Sequence, residues 1–260
     1  MTPTLSFFIT AIIVGFVTAG LKIQFDRFFA IILLISFMGL PVFGAINTFL
    51  WVIFLSAVWV LLRNREKIKS MPAVNKKKFL TVVPILAFIG VFLGTQFFAV
   101  ISAHVLTMTI GALALLYGLR LIFVHFKSHE FEYKNEKPSY QKICGLFGPA
   151  VSGFFVGLVG TSLKPLKIPF AVKTGKMNLS QVYLGNTITA FFASLFAIIL
   201  HSFYLGQNAM RGTFALLGIG LWLAIHISYE VTNHFFQDKW RKPFQIMIGI
   251  ILVIVAFKFL

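Results

Sequence analysis

The sequence predicts an all-α polytopic membrane protein of two inverted repeats, each a re-entrant or broken-helix hairpin followed by three transmembrane helices. Three observations carry that expectation. Hydrophobic residues make up 58% of the 260 and the mean hydropathy is +0.91, more apolar surface than a soluble fold of this length can bury. Near the start, VGFVTAGLK from Val14 to Lys22 is nearly restated as VGLVGTSLK from Val156 to Lys164, with five of nine positions identical. Basic residues, finally, collect in alternate connecting loops, as cytoplasmic loops do.

Spanning a hydrocarbon core takes about 20 helical residues. Ala45 to Leu62, Phe79 to Val100, His104 to Phe126, Leu179 to Tyr204, Gly212 to Tyr229 and Pro243 to Leu260 satisfy this. Leu5 to Leu21, Phe28 to Leu40, Ile143 to Gly160 and Leu166 to Gly175 are shorter or interrupted, and fall as one pair at the head of each half. The pairs turn through KIQFDR (Lys22 to Arg27) and TSLKPLK (Thr161 to Lys167), where Pro165, with Pro169 just beyond, disfavours a continuous helix. Either these pairs are re-entrant hairpins or broken helices, or they are short spanning helices joined by polar loops. The first run lacks the basic start and small-residue cleavage site of a signal peptide and stays in the mature chain.

Sidedness follows from Lys and Arg. The linker Arg63 to Lys78 holds seven of them and is predicted cytoplasmic, as are Lys127 to Lys142, Lys173 to Lys176 and His234 to Lys242. The opposite loops, Pro41 to Gly44, Ile101 to Ala103 and Leu205 to Met210, contain none. One hairpin and three crossings per half make an odd number, so the second half starts from the other side. Repeat one is then 1–126, the linker 127–142 and repeat two 143–260, in a single integral domain of the cell membrane with both termini outside.

Inverted repeats with interrupted helices are a recurrent design of secondary transporters, with substrate near the midplane. Lys22 and Lys164 would meet there as a positive locus for a small anion. Thr161 and Ser162 add hydroxyl donors, and Gly20 and Gly160 let backbone N–H groups approach a ligand. Half-helix N-termini, where they point inward, add positive dipole. Asn47 and Thr48, and Asn186 and Thr187, place neutral donors early in the long helices that follow each hairpin. Each has a plainer reading: Lys22 snorkels or pairs with Asp26, and Asn47 and Asn186 are packing donors between helices. His226 and Glu230, one turn apart, form a proton relay or a helix-end pair, and with Asp26 are the acidic and titratable candidates for coupling.

Other classes find less support. The 23 Lys and Arg against 7 Asp and Glu lie between apolar runs rather than on one polar face, which argues for topology signals and against nucleic acid. One cysteine, Cys144, excludes disulfide, redox-pair and thiolate-metal frameworks. Histidines such as His104, His125, His201 and His234 lack ligand spacing, no cofactor is called for, and the 32 Phe are ordinary membrane composition rather than an aromatic cage. A membrane enzyme would need paired acids, or a nucleophile with a positioned base, and neither is seen. The partners expected are a small anionic substrate and the lipid bilayer; the oligomeric state is not legible.

The segments GFVTAGLK and GLVGTSLKPLKIP, followed some twenty residues on by GAINTF and GNTITA, resemble the sulfite exporter TauE/SafE family of membrane transporters over essentially the whole chain. That resemblance implies about eight membrane segments in two halves and the export of sulfite, organosulfonates or related anions. AGLK and TSLK stand where the family usually has a run of glycines, which bears on substrate more than on fold. The alternatives left open are a carrier for a different anionic metabolite and an assembly protein without transport activity.

The topology predicts that a cysteine placed at Asn75 is protected from an impermeant thiol reagent in intact cells, while a C-terminal tag is accessible. Strong labelling at Asn75 would refute it.

Overall fold

The computed structural model describes residues 3–21, 28–69, 77, 79–123, 138–164, 179–204, 210–235 and 238–260. The described elements are α1 (Pro3–Leu21), α2 (Phe29–Ser36), α3 (Val42–Arg63), α4 (Arg65–Lys69), α5 (Val82–Val100), α6 (Ala103–Phe123), α7 (Pro138–Val159), α8 (Leu179–Tyr204), α9 (Met210–Phe235) and α10 (Asp238–Phe259). All are helical, as expected of backbone that has no water to satisfy its polar groups. Among the described residues, seven helices are long and apolar enough to cross a membrane: α1, α3, α5, α6, α8, α9 and α10.

Two differences from the hydropathy reading stand out. The run Leu5 to Leu21, expected to be short, belongs to a 19-residue helix whose Thr4–Leu21 stretch is of spanning length. Helices also outrun their apolar runs: α10 begins at Asp238, five residues before Pro243, and α7 begins at Pro138, five residues before Ile143. Hydropathy marks the part that lies in hydrocarbon, whereas the hydrogen-bond ladder continues into water as long as the side chains permit. The return segments differ in kind. α2 has eight residues, about 12 Å of helix and too short to cross, while Leu166 to Gly175 lies outside the described residues, as do Pro165, Pro169 and most of the 127–142 linker.

The chain divides into two compact units, one of Met1–Phe49, Ile101–Ser128 and Phe214–Leu260, the other of Leu50–Val100 and His129–Thr213. In the second unit α5 and α7 run parallel, joined by two interlocked small-residue motifs, Gly90-x₃-Gly94 and Gly153-x₃-Gly157. A Cβ on Gly90 would collide with the Ala150 carbonyl and one on Gly94 with that of Phe154; reciprocally, one on Gly153 would strike the Ala87 carbonyl and one on Gly157 would come within 2.5 Å of the Val91 oxygen. Close backbone approach of this kind replaces the hydrophobic driving force that lipid removes between helices. α8 runs the same way, since Val83 clusters with Leu184 and Ile188 near one end and Phe98 stacks on His201 near the other. Ala87, Val91, Val156, Ala193 and Ala197 form the buried seam between these helices.

In the first unit α6 and α10 cross antiparallel at a reciprocal glycine contact. A Cβ on Gly118 would stand 2.7 Å from the Gly249 oxygen, and one on Gly249 would stand 2.8 Å from the Gly118 oxygen. Gln245 Nε2 donates to the Leu121 carbonyl at 3.1 Å one turn away. α1 is parallel to α9, with Phe7 against Gly220 and Gly15 against Ser228, whose hydroxyl donates to Ile12 O at 3.1 Å. It is antiparallel to α10, where Phe16 and Phe244 meet edge to face at 5.2 Å. α2 is buried from Phe29 to Leu34, and Phe28 before it packs on the ring of the buried Tyr117 at 5.2 Å.

Gly94→Ala should therefore lower the melting temperature, overpacking a backbone-to-backbone contact by about 1–3 kcal/mol or more. Gly212→Ala, where nothing lies within 4 Å of the added carbon, should be neutral or stabilising by up to about 1 kcal/mol through helix propensity. Thermal denaturation of the two variants in detergent checks this, and equal melting would contradict the interlocked packing.

Candidate functional site

At the end of α7 the chain reverses. Gly160 closes the helix with its N–H on Val156 O at 3.0 Å and adopts φ +72°, the left-handed conformation that glycine reaches at no steric cost. Ser152 Oγ then donates to Ser162 O at 3.1 Å, a contact between residues ten apart that brings the chain after Gly160 back alongside α7. Thr161 and Ser162 are fully buried in this return. Leu163 follows at φ +51°, a conformation that costs a branched side chain about 1–2 kcal/mol, and strain of this kind persists only where surrounding contacts over-determine it.

Lys164, next in sequence, is half-buried and holds its Nζ 4.4 Å from the centre of the Tyr183 ring on α8. A cation over an aromatic face is attracted by the ring quadrupole. Among the described residues no carboxylate pairs with it. One turn further along α8 lies Asn186, 5% exposed, whose Oδ1 has no hydrogen-bond partner among the described residues. Thr187 returns its hydroxyl to Tyr183 O at 2.9 Å. His201, near the other end of α8, places Nε2 2.7 Å from Gly157 O and lies flat on Phe98 with ring centres 4.1 Å apart. With its Nε2 protonated, it caps a carbonyl that α7 leaves as its ladder ends. Thr95 of α5 is also fully buried beside Gly157, with a hydroxyl that has no partner among the described residues.

The structure thus brings Gly160, Thr161, Ser162 and Lys164 into one reversed segment, with Lys164 against the α8 face that carries Tyr183, next to Asn186 and Thr187. The matching residues of the first half lie in the other unit. There Arg241 Nη1 donates to Ala19 O at 3.0 Å and to Gly20 O at 3.4 Å, so Gly20 presents a carbonyl capped by arginine. Asn47 donates to Phe43 O at 2.7 Å within its own helix, while Thr48 is fully buried with a hydroxyl that has no partner among the described residues. Lys22 and Asp26 lie outside the described residues. His226 lies parallel to Trp222 with ring centres 5.7 Å apart, and Glu230 forms no ion pair with any described residue. No group of three His, Cys, Asp or Glu among the described residues could hold a metal.

Sequence reasoning missed Tyr183, Thr95 and His201. Tyr183 sits three residues before Asn186, a helical neighbour that the spacing could have flagged. Thr95 and His201 carry no local signal, because their surroundings are made by α7. α7 meets the break with its carbonyl end, and the half-helix expected to follow, Leu166 to Gly175, lies outside the described residues.

A family model described as sulfite exporter TauE/SafE matches residues 7–259, nearly the whole chain. The chain belongs to the TauE/SafE family. It is accordingly a multi-pass integral membrane protein and a transporter rather than an enzyme, in keeping with the seven apolar helices. No curated protein and no solved structure matches it. Of the two lysines that end this chain's duplicated motif, Lys164 lies among the described residues, at the reversal after Gly160.

Proposed function

We propose that this TauE/SafE protein exports a small anion, sulfite or an organosulfonate, and that Lys164 contacts it. The observation that carries the reading is a half-buried ammonium, held over Tyr183 at a chain reversal with no carboxylate partner among the described residues. Removing a cation from water without a counter-ion is costly, and a bound anion offsets that cost. Thr161, Ser162, Asn186 and Thr187 supply neutral polar groups nearby in the chain or on α8. Lys22, with Gly20, Asn47 and Thr48, takes the equivalent part in the first repeat on the strength of the sequence duplication.

An inverted relation of the repeats is supported by packing inside each unit. Gly15 and Gly157, equivalent in the duplicated motif, both seat on a parallel helix: α1 on Ile225 and Ser228 of α9, α7 on Val91 and Thr95 of α5. The last helices of the two halves, α6 and α10, cross antiparallel with each glycine filling the other's vacancy, as a two-fold axis in the membrane plane demands. The loop charges are what supports reading both termini as outside a cell membrane.

Lys164→Gln should insert and fold but lose most of the thermal stabilisation that sulfite or a small sulfonate confers on the wild type. Unchanged stabilisation would mean that Lys164 only snorkels.

Few acids are available for ion coupling, and export does not require any. Moving one negative charge out of a cell negative inside gains about 2.3 kcal/mol per 100 mV, equivalent to about a 50-fold gradient. Proteoliposomes loaded with sulfite should therefore release it faster when a potassium diffusion potential makes the interior negative. Efflux that ignores the potential and follows an imposed proton or sodium gradient would contradict the mechanism and direct attention to Asp26, His226 and Glu230.

A further inference from the structure

Hydroxyls on helices in this protein habitually return to the carbonyl one turn back. Thr10 bonds to Ser6 O at 2.8 Å, Thr18 to Val14 O at 2.6 Å, Thr109 to Val105 O at 2.9 Å, Thr189 to Gly185 O at 2.9 Å and Ser202 to Ile198 O at 2.7 Å. Thr95 does not. It is fully buried, and its Oγ1 has no hydrogen-bond partner among the described residues. Leaving a buried hydroxyl unsatisfied is destabilising, and such groups are rare enough to require a reason.

Its surroundings suggest one. The carbonyl that would take a back-bond is Val91 O, against which Gly157 of α7 is pressed; a Cβ on Gly157 would lie 2.5 Å from that oxygen and 3.2 Å from Thr95 Oγ1. Thr95 therefore faces α7 at the residue three before the left-handed Gly160, just short of the reversal that carries Thr161, Ser162 and Lys164. The Gly157 carbonyl is already engaged by His201 Nε2. Thr95 offers a hydroxyl that can donate or accept. With Lys164 on the reversal and no Asp or Glu in α5 or α7, the charge around it favours an anion, to whose oxygen the hydroxyl would donate.

We infer that Thr95 is a substrate-contacting residue that donates its hydroxyl hydrogen to an anion oxygen as the ligand passes the reversal after α7. This rests on the anion-carrier reading above, and it adds a residue on a helix, α5, that neither copy of the duplicated motif contains.

The test compares purified full-length wild type, Thr95→Val, Thr95→Ser and Lys164→Gln in detergent. Melting temperature and sulfite affinity are measured, with sodium chloride at equal ionic strength as the control. Without sulfite, Thr95→Val should melt at or above wild type, because an apolar isostere removes an unsatisfied group. It should bind sulfite about ten-fold or more weakly, the loss expected for a hydrogen bond to a charged partner, and Thr95→Ser should restore binding. A purely structural hydroxyl gives the opposite pattern. If Thr95→Val melts below wild type, or is not recovered folded, or binds sulfite as wild type does, the proposal is overturned. Wild-type affinity in Thr95→Val alongside lost affinity in Lys164→Gln removes only Thr95 from the site. A wild type indifferent to both sulfite and a small sulfonate overturns the anion-carrier reading and this inference with it.

Discussion

Backbone polar groups that leave a helix inside a bilayer must find partners within the protein, and the architecture around both duplicated motifs answers to that demand. Where α7 stops, three carbonyl obligations arise within a few residues. Val156 is satisfied by the Gly160 N–H, Gly157 by His201 and Ser162 by Ser152. Where α1 approaches its end, Arg241 takes the carbonyls of Ala19 and Gly20. Each break is thus held by side chains reaching from another helix or from the preceding turn. The cost of an unpartnered carbonyl in hydrocarbon, several kcal/mol by transfer arguments, leaves little freedom in how the broken segment sits.

That demand explains the glycines. For Thr95 on α5 to lie beside Gly157 of α7, whose carbonyl His201 of α8 engages, the parallel α5 and α7 must approach nearer than side chains ordinarily allow. Gly90, Gly94, Gly153 and Gly157 remove the obstruction by pairing carbonyl against vacancy in alternation along α5 and α7. Packing of that kind is bistable rather than elastic, so a unit built from it is suited to hold a reversed segment rigidly. The left-handed Leu163, costly in isolation, becomes tolerable because Ser162 before it and Lys164 after it are both anchored.

A consequence is that polar side chains at the site divide by role. Ser152 and His201 are spent on backbone, as are the back-bonded Thr187 and Thr189. Among the described residues Lys164, Asn186 and Thr95 retain unmatched capacity: an ammonium without a carboxylate, an amide oxygen without a donor and a hydroxyl without a hydrogen-bond partner. The contrast between the two groups is what makes these three the candidates for contact with a substrate.

The sequence by itself determined the class of molecule, the number and place of most long helices, the duplication and Lys164 as a residue of interest. Those properties are written in hydropathy summed over about twenty residues and in a local repeat, and hydrocarbon thickness converts them directly into structure. It could not determine that α1 is of spanning length while α2 is not, because both read as interrupted runs and the difference lies in where each helix finds partners. Tertiary structure alone decided that Tyr183 meets Lys164, that His201 serves a carbonyl 44 residues away in sequence and that Thr95 is buried beside Gly157 without a partner among the described residues. Each depends on how α5, α7 and α8 pack, and a relation among three segments far apart in the chain leaves no periodic trace in any one of them.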